Sequence, residues 1–96
     1  MEFEFEFEGE IIEWRGPAPF LFVPVPEEIN AEIGALAKTL SYGWGVVPVR
    51  ARVGSVDFTT SLIPRNGVFL VPLKVAVTKP NKLGVGDKVS IWMVLG

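Results

Sequence analysis

The chain has no cysteine and no histidine among its 96 residues. Without them there is no disulfide framework and no thiolate or imidazole metal cage, and Ser-His-Asp and Cys-His catalysis are excluded. Glutamine is also absent and methionine occurs only twice, a composition that leans towards a thermophilic prokaryotic source. The start "MEFEFEFE" lacks the basic opening and apolar block of a signal peptide, and no run approaches the roughly 20 apolar residues that span a bilayer. These absences lead us to expect a soluble, cytoplasmic protein with no metal, no cofactor and no membrane contact.

What is present is enough apolar material for one core. Hydrophobic residues make up 49% of the chain and charged residues 21%, which separates it from disordered sequences. Two domains would each be too small to bury a core, so residues 1–96 are expected to form one.

The net charge of −2 conceals an asymmetry. Residues 1–13 carry six glutamates and no base, whereas the remainder holds nine bases against five acids. "EFEFEFE" alternates with period two, so Phe3, Phe5 and Phe7 share one face of a strand and Glu2, Glu4, Glu6 and Glu8 the other. The acidic face either meets a cation or basic partner, or keeps an edge strand from pairing with another molecule; the second reading is preferred. After Gly9 the phase slips, because Ile11 keeps the odd face while Ile12 and Trp14 take the even one, as in a β-bulge.

"RGPAP" reads as a turn. In "FLFVPVP", Pro24 and Pro26 argue against a central ladder position. Pro26, Glu27 and Glu28 then suit a helix start, and Ile29, Ile33, Leu36 and Leu40 recur at helical spacing, which predicts a helix over residues 27–40 ended by "SYGWG". Beyond it, Val47, Val49, Ala51 and Val53 share a strand face opposite Arg50 and Arg52, and Gly54-Ser55 makes a two-residue hairpin loop. Val56, Phe58, Thr60 and Leu62 oppose Asp57, Thr59 and Ser61. Pro64-Arg65-Asn66-Gly67 supplies turn chemistry. "VFLVPLKVAV" reads as one strand kinked at Pro72 or as two short ones, and "TKPNKLGVGD" as a loop with room for one helical turn. "KVSIWMVLG" closes as a strand with Val89, Ile91, Met93 and Leu95 on one face. The architecture expected is mostly β: a small antiparallel barrel of about six or seven strands capped by one helix.

Little catalytic chemistry remains. Glu32, Asp57 and Asp87 are too scattered for a paired acid and base. Ser61 with Lys74 across a hairpin is the one nucleophile-base pair on offer, and a surface hydroxyl beside a solvated lysine is the preferred reading. "GVGDK" lacks the spacing of a phosphate loop.

Two segments together, "FTTSLIPRNGVFLVPLKVAV" and "KLGVGDKVSIWMVL", resemble the family called domain of unknown function nineteen-oh-five. The matching positions are Phe58, Ser61, Leu62, Pro64, Gly67, Leu70 or Val71, Pro72, Lys74, Gly86 and Asp87. The resemblance extends to the alternating aromatic strand, the proline-led helix and the "GWG" segment. It implies a compact barrel of the double-split type, a domain that in some proteins adjoins a bacteriocin-protection-type module, and no particular activity. For Ser61, Pro64, Gly67, Pro72, Gly86 and Asp87 a fold or turn role is preferred. Where the family is expected to carry an arginine before the lysine, this chain has Thr78 before Lys79, so an anion site built on that arginine is not carried over. The tail "LGVGDKVSIWMV" is also similar to the closing segment of AbrB-like swapped-hairpin regulators.

The leading expectation is a non-catalytic binding or accessory module for a small anionic ligand or a protein partner. Arg50, Arg52, Lys74 and Lys88 are its candidate cations and Trp44 its candidate aromatic wall. The alternative is a homodimeric AbrB-like nucleic-acid-binding regulator, which the negative net charge and dispersed bases oppose. An enzyme using only carboxylate, lysine or hydroxyl groups is third.

Overall fold

A computed structural model describes residues 3–14, 20–40 and 47–95, with 14 and 38–40 described by backbone alone. The turn expected at "RGPAP", the "SYGWG" segment and Trp44 lie outside the described residues. Among the described residues, seven strands and two helices follow in the order β1 (Phe3–Glu10), β2 (Ile12–Trp14), β3 (Phe20–Pro24), α1 (Glu27–Leu40), β4 (Val47–Val53), β5 (Val56–Arg65), β6 (Val68–Leu73), α2 (Val75–Thr78) and β7 (Lys88–Leu95). The strands form one antiparallel sheet in the order β1-β7-β4-β5-β6-β3-β2, curled into a half-barrel.

Alternation decides the two faces. Val47, Val49, Ala51 and Val53 on β4, Leu62 on β5, and Val89, Ile91, Met93 and Leu95 on β7 are all buried in one cluster. The intervening Arg50, Arg52, Asp57, Thr59, Lys88 and Ser90 are exposed on the outer face. The curl brings β1 against β3: a Cβ on Gly9 would stand 2.6 Å from Val23 Cγ1. Only a residue without a side chain permits that approach.

The helix lies where its periodicity places it, over Glu27–Leu40. Ile33 is fully buried, and Ile29 and Leu36 pack against the core. The carbonyl of Pro26 accepts the first helical bond from the Asn30 N–H at 2.8 Å. Asn30 also ties the helix to the sheet, because its Nδ2 donates to the Gly67 carbonyl and its Oδ1 accepts from the Phe69 N–H, both at 2.8 Å. One amide thus serves the edge of β6 as a neighbouring strand would.

Three expectations need correction. The phase slip after Gly9 is not a bulge: β1 pairs with β7 without interruption to Glu10, and β2 pairs instead with β3. Ile11, fully buried, stands between the two ladders, and the chain changes partners there. Next, β3 lies inside the sheet between β6 and β2 despite Pro24. It does so because β2 reaches only Phe20 to Phe22, leaving Pro24 a ladder with β6 alone. Finally, the residues after Lys74 are no strand. Val75–Thr78 make a single helical turn, with the Thr78 N–H bonded to the Lys74 carbonyl at 3.1 Å. Here β6 has run past β5 and has no ladder to continue on that side.

Pro24 is one of four described strand prolines in this situation. Pro48 pairs with Ser61 but lies beyond the β7 ladder, Pro64 pairs with Phe69 beyond the β4 ladder, and Pro72 pairs with Phe22 beyond the β5 ladder. Among the described residues each has a ladder on one side only, the position where a strand tolerates a missing N–H.

Replacing Asn30 by Ala removes both side-chain bonds to β6 and leaves a part-buried N–H without its acceptor, with an expected loss of about 1–3 kcal/mol in urea unfolding. Gly9→Ala pushes Val23 off the sheet and is expected to destabilise by a similar 1–3 kcal/mol. Wild-type stability in the Gly9 variant would contradict the close β1–β3 contact.

Candidate functional site

The outer face of β1, β7, β4 and β5 is built in rows by the strand register. One row runs Glu6, Trp92, Arg52, Asp57 and the next Glu4, Val94, Arg50, Thr59. In the first, the Arg52 Nε donates to Asp57 Oδ1 at 2.5 Å, and the guanidinium lies over the Trp92 ring with Cζ 5.5 Å from its centroid. The Trp92 Nε1–H donates diagonally to Glu4 Oε2. The bond to Asp57 first, and then its charge, raise the Arg52 pKa above the ordinary guanidinium value, against a small opposing effect of burial. Arg52 and Asp57 are well exposed, so solvent screens the pair and its main effect is to fix the guanidinium in place.

Beside this layer lies a groove of about 600 Å³ lined by Pro48, Val49, Arg50, Thr59, Thr60, Ser61, Lys74 and Val94. The pairing explains its position. Ile63 with Leu70 is the last pair between β5 and β6 in that direction. Continued, the same register would set Thr59 opposite Lys74. Instead β5 stays with β4 while β6 turns to β3, and Lys74 at the end of β6 faces the groove that opens beside β5. A smaller recess of about 350 Å³, lined by Arg50, Ala51, Arg52, Asp57, Phe58, Thr59 and Trp92, adjoins it through Arg50 and Thr59.

The structure therefore brings Arg50, Lys74 and Ser61 to one groove and places Arg52 in the next. Lys88 stands apart: it pairs with Glu10, six residues from Val94 along β7, or about 20 Å at 3.4 Å per residue. Trp92 was not among the sequence candidates. The signal available for it was an aromatic on the outward phase of the last strand, between the buried Ile91 and Met93.

The remaining motif positions hold turns and ladders. Asn66 and Gly67 have φ of 52° and 80°, the paired left-handed conformation of a type I′ hairpin closed by Arg65 and Val68. Asp87 Oδ2 accepts from the Gly84 N–H at 2.8 Å, and Gly86, at φ 91°, donates to the Ile11 carbonyl at 2.9 Å. Ile11 returns a bond to the Asp87 carbonyl at 2.9 Å. The Gly-Asp turn thus fixes the point at which β1 gives way to β2.

Residues 7–93 match the family described as Domain of unknown function (DUF1905). The chain belongs to that family. The match spans the first segment that carries the sequence resemblance and the second as far as Met93, and the family's description names no activity. No curated protein matches the chain. Among the described residues no helix is long and apolar enough to cross a membrane, and no three acidic, histidine or cysteine side chains cluster as metal ligands.

Asp87→Ala removes the acceptor for the Gly84 N–H and is expected to cost about 1–2 kcal/mol of stability. Amide exchange at Ile11 and Gly86 should accelerate. Unchanged exchange there would separate the motif aspartate from the β1–β2 crossing.

Proposed function

We propose that this DUF1905 chain is a non-catalytic binding module whose groove takes a small anionic ligand. The observation that carries the reading is the convergence of Arg50 from β4 and Lys74 from the end of β6 on one groove with the hydroxyls of Thr59 and Ser61. A guanidinium offers paired donors matched to a carboxylate or phosphate, a lysine adds a movable point charge, and hydroxyls donate to the remaining oxygens. The groove lies in the size range of small-molecule sites. Catalysis by Ser61 and Lys74 is less well supported, since Lys74 is solvent-exposed and a reacting pair works best where water is excluded. We assign the module to the cytoplasm as part of the same proposal.

The homodimeric regulator reading draws less support. Glu4, Glu6 and Glu8 on β1 border the outward face that carries Arg50 and Arg52, separated from it by β7 alone. A phosphate backbone laid across that face would meet the acidic strand as well as the bases.

Titration of the ¹⁵N-labelled protein with phosphate, sulfate and citrate, followed by amide and side-chain shifts, tests the proposal. Saturable shifts are expected around Thr59 to Ser61, with affinity reduced about tenfold in Arg50→Ala and in Lys74→Ala, equivalent to about 1.4 kcal/mol each. Absence of saturable shifts for all three anions would overturn it. Labelled duplex DNA at about 50 and 200 mM salt is expected not to bind, and tight, steeply salt-dependent binding would favour the regulator instead.

A further inference from the structure

The groove and the adjoining recess share Arg50 and Thr59 as a common wall, so they lie side by side with unlike linings. On one side stand Arg50, Lys74, Thr59 and Ser61. On the other, Arg52 is paired with Asp57 and stacked on Trp92. With its charge matched, Arg52 presents a flat guanidinium face more than a free cation. The Trp92 ring is held before any ligand arrives, because its N–H is bonded to Glu4 and its face to Arg52. An ordered wall of this kind needs little rearrangement to receive a flat group.

Resting on the anion-binding reading above, we infer that the ligand is bipartite: an anionic head seated at Arg50 and Lys74, joined directly to a flat aromatic body lying against the Arg52–Trp92 layer. The spacing limits the joint. Trp92 is the diagonal neighbour of Arg50 across the β4–β7 ladder, a separation of roughly 7–8 Å between such positions. One fused ring system attached to a phosphate or carboxylate covers it, whereas an aromatic on a long flexible tether is not required.

Three probes separate the parts: inorganic phosphate, 2-naphthyl phosphate and neutral 2-naphthol. The readout is the NMR titration with the indole N–H of Trp92 as a second reporter. The aryl phosphate is expected to bind at least tenfold tighter than inorganic phosphate and to shift the Trp92 indole, with no saturable binding of 2-naphthol. Trp92→Leu should reduce the aryl phosphate to the affinity of inorganic phosphate and leave inorganic phosphate unchanged, with Trp92→Phe falling between.

Equal affinity for the two phosphates in the wild-type protein, both weakened by Arg50→Ala, would overturn the bipartite ligand and leave the anion groove standing. Binding of 2-naphthol as tight as that of its phosphate would also overturn it, since the head would then contribute nothing. If neither phosphate binds, the groove reading and this inference fall together. The wild-type comparison among the three probes needs no variant to fold.

Discussion

The structure depends on β5 changing partners. Residues Val56 to Leu62 pair with β4, and Ile63 to Arg65 pair with β6, so one ten-residue strand serves two halves of a curled sheet. Pro48, Pro64 and Pro72 all lie where, among the described residues, a strand has a neighbour on one side only. A ladder that ran on would flatten the sheet and close the gap between β5 and β6. The groove lies at that gap, so the backbone feature that curls the fold also opens the groove. Lys74 reaches the groove only because β6 has left β5 by then.

Charge is distributed on the same plan. The basic residues of β4 are separated from the acidic residues of β1 by β7, and Trp92 on that strand touches both sides through Glu4 and Arg52. A basic face directly beside four aligned carboxylates would lose much of its attraction for anions. The indole provides a neutral spacer with a donor for one side and a π face for the other. Asp57 then matches Arg52, which holds that guanidinium against the indole.

Period-two alternation made most of this sheet legible, because one face of each long strand is buried and the other wet. The inward faces of β4, β5 and β7 follow from it, while the bounds of α1 follow from helical spacing behind Pro26 and the two hairpins from Gly54-Ser55 and Asn66-Gly67. What escaped depends on single residues with no period. Asn30 and Asn81 are examples: the first clamps β6, and the second donates to the carbonyls of Val53 and Val77 at 3.0 and 2.9 Å, holding the β4–β5 hairpin against α2. A lone asparagine in a helix or loop shows nothing in sequence of the strand it will meet. Pro24 argues in sequence against a central ladder position and Pro72 for a kinked or divided strand, whereas the relevant variable is how many neighbours the strand has at that residue. In the candidate site, the cations could be named from their outward phase. That Arg50 and Lys74 share a groove while Lys88 stands at the other end of the sheet is set by the register and the split, which alternation does not encode.

The same split gives the groove two kinds of wall. Arg50 lies in a strand laddered on both sides, by β5 and β7, and Thr59 is held against it by direct pairing. Lys74 has no strand ladder; it follows the end of β6 and caps a four-residue helix, with an extended backbone at φ −80° and ψ 163°. The two ladders fix the backbone from which the Arg50 and Thr59 side chains leave the sheet, whereas Lys74 leaves from the point where the strand has ended. Side-chain rotamer freedom remains on both walls, since arginine and lysine are equally long and rotatable. The difference between the walls is therefore one of backbone anchoring, set by the ladder pattern.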